Sequence, residues 1–196
     1  MEINDSIKFF LEEQSTSIDF FKNNLQEINE ICEKLILGRN EGRKIFAMGN
    51  GGSGSTASHF ISDLLKTAIL KNEKRFNAIS LTDNIPVILA WSNDVSFENI
   101  FVEQLKNYFS KGDIIIAFSG SGNSKNVLKA LQYGKEIGGN CISFTGKSGG
   151  QIKNFSDICL RVPNQNMLSI EVQHVLLCHC IISCIRNLGE PEFKYD

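Results

Sequence analysis

The sequence has little excess charge and no long uninterrupted apolar run, and each shortage excludes a class of protein. Among its 196 residues, 20 are Lys or Arg and 22 are Asp or Glu, so the formal net charge is −2 at pH 7. Binding to a nucleic-acid backbone needs clustered positive charge, so we expect no nucleic-acid partner. The apolar runs are short and interrupted, so we expect no membrane span.

Targeting signals and paired cysteines are also lacking. The opening residues, MEINDSIKFF, carry acidic side chains and have neither a basic start nor a small-residue cleavage site, so we expect a cytoplasmic protein. The six cysteines lie mostly in apolar segments without a C-x-x-C pair, which predicts reduced core residues. No linker-like stretch divides the chain, so one domain is expected.

The hydrophobic pattern alternates between strand and helix. Residues 4–39 show helical periodicity, and we assign residues 1–42 to an N-terminal helical segment that packs on the domain or on a partner subunit. Within residues 43–196, five short apolar runs alternate with helical stretches, one of which extends from the first loop to about residue 69. The predicted strands are 44–48, 77–81, 113–118, 141–145 and 158–162, and the other predicted helices are 85–92, 125–137 and 168–185. This order predicts an α/β fold, a three-layer α/β/α sandwich around a five-stranded parallel sheet.

Two loops rich in glycine and serine follow the first and third predicted strands. They comprise residues 49–55, GNGGSGS, and residues 119–124, SGSGNS, and both open a helix. Exposed N–H groups at a helix start, close backbone approach at glycine and short hydroxyl groups all suit a phosphate. The alternative is that both loops are only tight turns and helix caps, although two on successive strand ends favour a ligand site.

Two other segments partly match known nucleotide-binding motifs. Gly49, Gly51 and Gly54 match the dinucleotide pattern G-x-G-x-x-G, but Asp83 comes later than the expected acidic residue and the second serine loop is unexplained. Residues 146–148 resemble the end of a P-loop, yet Cys141 occupies the place of its first glycine, so we interpret them as a turn.

The motifs together resemble a sugar isomerase (SIS) domain of the sedoheptulose-7-phosphate isomerase family. They are GNGGSGSTASHF, SLTDN, SNDVSFENIF, SGSGNS, TGKSGG and a late helix with paired histidines, and they extend over about residues 43–186. The resemblance implies a homotetramer with active sites between subunits. It also implies zinc-assisted interconversion of a seven-carbon ketose phosphate, sedoheptulose 7-phosphate, and D-glycero-D-manno-heptose 7-phosphate, for activated-heptose and surface-polysaccharide biosynthesis.

The resemblance also assigns residues. The implied substrate-binding positions are Asn50, Gly51, Gly52, Ser53, Asn93, Asp94, Ser119, Gly120, Ser121 and Ser124, with the serines contacting phosphate. The implied ligands of zinc or another divalent cation are His59, Asp63, Glu171 and His179. Asp63 replaces the family's usual Glu, and Glu171 replaces Gln, which adds negative charge. For Asn93 and Asp94, a plain turn is the alternative.

Spacing agrees with the proposed centre. His59 and Asp63 are four residues apart and share a helix face, while Glu171 and His179 are about two turns apart on another helix. An enediol mechanism needs a base and an acid, and the resemblance implies Asp63 as the base and His179 as the acid. The alternative for any one histidine is a core position, which we favour for His174.

Three functions follow from these observations. The first is isomerisation of sedoheptulose 7-phosphate. The second is isomerisation of another sugar phosphate, prompted by the departures at Asp63 and Glu171. The third is a non-catalytic SIS module that binds a phosphosugar or a protein partner, which loss of the metal-binding histidines would favour. His59 and His179 are present.

Overall fold

Five parallel strands form the centre of the structure, a computed structural model that describes residues 2–194. The strands are β1 (Lys44–Gly49), β2 (Asn77–Ser80), β3 (Ile114–Ser119), β4 (Asn140–Thr145) and β5 (Ile158–Arg161). They lie in the order β2-β1-β3-β4-β5, and every neighbouring pair is parallel. The predicted sheet is confirmed, and each predicted strand ends within about one residue of the observed one.

Helices connect and cover the strands. Within residues 2–194 they are α1 (Ile3–Lys22), α2 (Gln26–Glu41), α3 (Gly51–Ser62), α4 (Ile85–Asp94), α5 (Val102–Tyr108), α6 (Lys125–Ile137) and α7 (Met167–Asn187). Short 3₁₀ turns occur at Phe97–Asn99 and Ile152–Phe155. The helical pattern predicted over residues 4–39 is two helices. The sequence analysis missed α5, because seven residues are too few to establish a helical period.

Alternate side chains of each strand point to opposite faces of the sheet, and each face has its own apolar core. On β1, Ile45 and Ala47 pack in a core formed with α2, α3 and α7. Phe46 and Met48 pack in a second core with α5 and α6, against which α4 is only partly buried. Two helical layers enclose the sheet, which confirms the three-layer α/β/α fold.

The first helix is attached to the start of α7 mainly by polar contacts. Glu13 Oε2 accepts hydrogen bonds from Ser169 Oγ at 2.9 Å and from Asn166 Nδ2 at 3.0 Å, and Gln14 Nε2 donates to Ser169 Oγ at 2.9 Å. The bond from Ser169, followed by that from Asn166, holds the pKa of Glu13 below its ordinary value. Few apolar side chains of α1 are buried, so these bonds set where it meets α7.

Helix α7 corrects one expectation of the sequence analysis. Over Met167–Asn187 it is long and apolar enough to cross a membrane by length and composition, although no such segment was expected. Half of that stretch is buried inside the fold, where Leu177, Ile181 and Ile185 pack in the first core. A buried helix of this kind is typical of a protein core.

The cysteines are free, but not all are core residues. Cys32, Cys141 and Cys178 are buried, as predicted, and burial raises the pKa of Cys141 to about 12. Cys180 and Cys184 are exposed, so the prediction of a core position was wrong for these two. Both lie on the outer side of α7, which an apolar sequence pattern does not distinguish from its buried side.

The strand order determines where a ligand can bind. The chain leaves β1 toward β2 on one side of the sheet and later returns to β3 on the other side of β1, so β1 and β3 are adjacent. A crevice opens beyond the carboxyl ends of two such strands, because their connections run to opposite faces. Gly49, at the end of β1, lies opposite Phe118 of β3, and both serine loops therefore begin at this crevice.

Candidate functional site

The two serine loops form one cavity of about 300 Å³. The structure brings together every loop residue predicted to bind substrate, and the cavity is lined by Asn50, Gly51, Gly52, Ser53, Ser119, Gly120, Ser121 and Ser124, joined by Phe118, Met167 and Glu171. We call this space the serine cavity. Ser119 Oγ lies 3.3 Å from Ser124 Oγ, so two hydroxyl groups converge on one spot. Hydroxyl groups and loop N–H groups arranged in this way suit an anion.

A pair of asparagines holds the two loops together. Asn50 Nδ2 donates to Asn126 Oδ1 at 2.9 Å, and Asn126 Nδ2 donates back to Asn50 Oδ1 at 2.8 Å. Asn126 is buried and was missed by the sequence analysis. The only signal for Asn126 in the sequence is that a polar residue lies in the first turn of the helix that follows the second serine loop. This reciprocal pair fixes the distance between the loops, because each side-chain amide donates one hydrogen bond to the other and accepts one from it.

The turn after β4 supports the second serine loop. Gly146 N–H donates to Gly120 O at 3.0 Å, and Ile152 N–H donates to Gly122 O at 3.0 Å. Gly122 has φ +66°, and a Cβ placed there would lie 2.4 Å from Gly149 O. Residues 146–148 form a turn, as predicted, and the structure adds that this turn supports the second serine loop.

Three side chains form a second cluster beside the serine cavity. His59 Nε2 lies 3.4 Å from Asp63 Oδ2, and His179 Nδ1 lies 3.5 Å from the same oxygen. The two imidazole rings meet edge to face, with centroids 4.8 Å apart. We call these three residues the histidine cluster. The structure thereby joins α3 and α7 at the positions that the sequence analysis selected.

The histidine cluster has the donor set of a metal site. One donor atom from each residue lies within 4.8 Å of the others. Asp63 Oδ2 is buried but accepts no hydrogen bond of normal geometry. A buried carboxylate oxygen without a donor is costly, and a cation would satisfy it. Two imidazoles and a carboxylate match the ligands that zinc and similar divalent cations prefer, so the residues present fit such an ion.

Asp63 is placed by a local change of helix type. The sequence analysis predicted an unbroken helix to about residue 69, but α3 ends at Ser62 and a π-turn occupies Asp63–Thr67. Thr67 Oγ1 donates to Asp63 Oδ1 at 2.9 Å, and Arg186 Nη1 donates to Thr67 O at 2.6 Å. A π-turn inserts one extra residue into a helix, and such insertions are frequent at functional sites.

Glu171 lies between the serine cavity and the histidine cluster. Besides the serine cavity, it lines a neighbouring cavity of about 420 Å³ together with Gly52 and His59. A Cβ on Gly52 would lie 2.4 Å from Glu171 Oε2, so the carboxylate packs directly on the backbone of Gly52 and would have to move if that residue carried a side chain. Glu171 does not share the donor distances of the histidine cluster. Its assignment as a fourth metal ligand stays a prediction.

Asn93, Asp94 and His174 lie outside both the serine cavity and the histidine cluster. Asn93 and Asp94 are exposed at the end of α4, where Asn93 Nδ2 donates to Asp94 Oδ1 at 2.8 Å, and neither lines the serine cavity. His174 is fully buried between aromatic rings, with Nε2 3.3 Å from Thr145 O, which confirms its predicted core role. Burial lowers the pKa of His174 to about 4, so it is neutral at pH 7.

Asp83, considered above for a dinucleotide site, is exposed and accepts hydrogen bonds from neighbouring hydroxyl groups. Its Oδ1 accepts hydrogen bonds from Ser80 Oγ at 3.0 Å and from Thr82 Oγ1 at 3.2 Å, and Ser58 Oγ also donates to it. These bonds connect the end of β2 to α3. A carboxylate oxygen with three hydroxyl donors is already well satisfied, which argues against a role in holding a ribose.

Comparisons with known proteins agree with this architecture. The family model described as "SIS domain" matches residues 8–146. The chain is 36% identical over 162 residues to the probable phosphoheptose isomerase of Thermoplasma acidophilum. The aligned region covers 83% of this chain and 88% of that protein. It is 34% identical over 190 residues to the phosphoheptose isomerase of Thermodesulfovibrio yellowstonii, covering 96% and 94%.

Two solved structures are also similar. A phosphoheptose isomerase from Francisella tularensis superposes with a TM-score of 0.89 at 30% identity, covering 95% of this chain and 100% of that chain. The corresponding enzyme from Neisseria gonorrhoeae gives a TM-score of 0.86 at 27% identity, with the same coverage. The likeness therefore extends over nearly the whole chain.

Proposed function

The chain belongs to the SIS-domain phosphoheptose isomerase family, and we propose that it interconverts sedoheptulose 7-phosphate and D-glycero-D-manno-heptose 7-phosphate through an enediol. The observation that carries this proposal is the shared boundary of the serine cavity and the histidine cluster. An anion site on one side and titratable groups on the other are what a sugar phosphate isomerase requires.

The serine cavity binds the phosphate end of the sugar in this proposal. Ser53, Ser119, Ser121 and Ser124 supply hydroxyl donors, and the start of α3 supplies N–H groups. Hydrogen bonds to a charged acceptor are stronger than neutral ones and hold the substrate in one register. The open-chain carbons then extend toward the histidine cluster. Contacts to the phosphate, which lies far from the reacting carbons, hold those carbons in place. The binding energy of the phosphate therefore raises the rate of the chemical step as well as the affinity.

The histidine cluster moves the protons. Asp63 removes a proton from C1 of the ketose and returns it to C2, while His179 transfers a proton between the oxygens on C1 and C2. Asp63 Oδ2 is buried and accepts no hydrogen bond of normal geometry, which supports its role as the base. The 3.5 Å approach of His179 Nδ1 to Asp63 Oδ2 supports a paired acid and base.

Zinc or another divalent cation fits the same residues. His59, Asp63 and His179 would hold it, and Glu171, which lines the adjoining cavity, is the proposed fourth ligand. When bound, such a cation would polarise the carbonyl and hydroxyl oxygens of an open-chain sugar.

We also propose a cytoplasmic homotetramer that acts in activated-heptose and surface-polysaccharide biosynthesis. Residues 1–42 supply part of the contact between subunits, because α1 exposes Ile3, Ile7 and Leu11. Apolar side chains also surround the site, where Leu168 and Val172 of α7 are exposed. Exposed apolar groups in such number are typical of surfaces that another chain covers. Light scattering of the purified protein tests the assembly.

The experiment that tests the reaction uses metal-free and zinc-loaded protein with sedoheptulose 7-phosphate. We expect the aldose phosphate to appear by NMR in the zinc-loaded sample and to disappear with His179→Ala. Cys180→Ala is the matched control, because Cys180 is the exposed neighbour on α7 and lies outside the histidine cluster. Absence of turnover with loaded wild-type protein would contradict the proposed reaction.

A second candidate is isomerisation of a different sugar phosphate. Glu171 favours it, because its carboxylate faces the serine cavity where the resembling family has an amide. Activity assays with sugar phosphates of five, six and seven carbons distinguish the two candidate reactions. Turnover of a shorter substrate with none for sedoheptulose 7-phosphate would establish the second candidate. Phosphate binding without turnover of any member would instead indicate a non-catalytic module.

A further inference from the structure

Glu171 places a negative charge on the wall of the cavity that is proposed to bind a negative ligand. The start of α3 lies beneath it, and Glu171 Oε2 is 2.4 Å from the position that a Cβ on Gly52 would take. The carboxylate thus lies at the end of a helix where bound anions are ordinarily stabilised. Glu171 and a phosphate group would occupy neighbouring parts of the same cavity.

Among the residues that the structure describes, no Lys or Arg lines the serine cavity to neutralise this charge. The lining consists of glycines, serines, an asparagine, Phe118, Met167 and Glu171. A phosphate monoester carries up to two negative charges at neutral pH, so a bound phosphate and the Glu171 carboxylate repel each other. Without a positive charge nearby, Glu171 must weaken phosphate binding.

Within residues 2–194, the group at this boundary that could hold a cation is the histidine cluster. Glu171 and His59 line the same neighbouring cavity, and Asp63 Oδ2 in the cluster has no donor. A divalent cation held there would bring positive charge to the cavity that Glu171 and His59 share. Its charge would offset that of the carboxylate, so the repulsion would fall when the cluster is loaded.

We propose that Glu171 couples the two halves of the site, so that phosphate binds weakly to the metal-free protein and tightly once a cation is bound. The inference rests on the proposed function, because it takes the serine cavity as the phosphate site. Coupling between two sites is reciprocal, so phosphate must raise the affinity for the cation by the same factor. Metal-free protein would then release sugar phosphate rather than hold it unproductively.

Methyl phosphate binding to metal-free protein tests the charge of Glu171 directly. Wild type, Glu171→Gln and Glu12→Gln are compared by isothermal titration calorimetry at pH 7.5 in the presence of EDTA. We expect Glu171→Gln to bind about tenfold more tightly than wild type, because it removes the charge and keeps the shape. Glu12→Gln is the matched control, since it also removes one carboxylate but is exposed on α1 and does not line the serine cavity, and its affinity should change less than about threefold.

The reciprocal measurement titrates Co²⁺ into metal-free protein and follows its visible absorption with and without methyl phosphate. Methyl phosphate should raise the Co²⁺ affinity of wild type about tenfold and that of Glu171→Gln by less than about threefold. Equal methyl phosphate affinity of wild type and Glu171→Gln would overturn the coupling and leave the proposed function intact. If methyl phosphate binds neither protein, with or without Co²⁺, or if it binds and Ser119→Ala leaves the affinity unchanged, the assignment of the serine cavity as the phosphate site is wrong. Thermal unfolding of each variant checks that it is folded, and Glu171→Ala provides a second neutral variant.

Discussion

The serine cavity and the histidine cluster lie on either side of Glu171, but they are built from different parts of the fold. The cavity is made of loop backbone and short hydroxyl groups at the ends of β1 and β3, held by hydrogen bonds between loops. The cluster is made of long side chains on α3, its π-turn and α7. The first half depends on backbone position and should control substrate binding. The second depends on titratable groups and should control the rate.

Removing the base should give the largest effect. Asp63→Asn keeps the shape of the side chain but cannot accept the proton, so we expect kcat to fall at least about hundredfold with KM changed by less than about threefold. Steady-state kinetics at saturating zinc measures both. A large rise in KM with little change in kcat would break the division of labour between the two halves.

The second largest effect should come from the backbone of the serine loop. Gly122→Ala adds a Cβ at φ +66° and 2.4 Å from Gly149 O, so we expect unfolding free energy to fall by about 3 kcal/mol. Gly42→Ala is the matched control, with φ +73° but no atom within 4 Å of the added Cβ, and should cost about 1 kcal/mol. Urea denaturation distinguishes them. Equal costs would mean that contact with the turn after β4 does not support the loop.

A hydroxyl of the cavity should affect binding more than rate. Ser119 is buried at the end of β3 and lies beside Ser124. Ser119→Ala removes one hydrogen bond to the charged phosphate, so we expect KM to rise about tenfold with kcat within about threefold. The comparison with Asp63→Asn sharpens the distinction between the halves. If Ser119→Ala lowers kcat as much as Asp63→Asn does, the two halves act as one unit.

The smallest effect should come from the polar anchor of α7, which contributes to both halves. Glu13→Gln weakens the bonds to Ser169 and Asn166, so unfolding free energy should fall by about 1 kcal/mol at pH 7. Because the folded pKa of Glu13 is below its unfolded value, the contribution is present above the unfolded pKa and disappears as pH falls through the folded pKa. Urea denaturation from pH 7 to pH 3 should therefore show the difference shrinking below about pH 4. A difference that is constant with pH would exclude the carboxylate charge as its cause.

Much of this site was predictable because its signals are local. Ser53 and Ser119 follow apolar strands within glycine-rich loops, and loops at the carboxyl ends of parallel strands meet by geometry. His59 and Asp63 face each other because four residues make about one helical turn. The buried His174 was also predicted, from its place on an apolar helix. Spacing and residue type along one element were enough to predict these positions, whereas the metal-binding and catalytic roles of His59 and Asp63 were implied by the resemblance to the isomerase family.

The positions that were missed depend on contacts between distant segments. Asn126 is important only because Asn50 lies opposite it, 76 residues away in the chain. The π-turn at Asp63–Thr67 is stabilised by Arg186 of α7, which no periodicity within α3 reveals. Cys180 and Cys184 differ from Cys178 only in the side of α7 that they occupy. Long-range contacts of this kind leave no pattern in a single sequence.

The sequence alone determined the elements and the chemistry available to them. Apolar periods of two and of 3.6 residues define the strands and helices, and glycine and serine at strand ends define the loops, because both effects act within a few residues. Tertiary structure alone decided that Glu171 lies between the serine cavity and the histidine cluster. That position depends on how α7 crosses the start of α3, which is set by packing of the first core and by the bonds of α1 to α7. Proximity between helices more than 100 residues apart is a property of the folded chain.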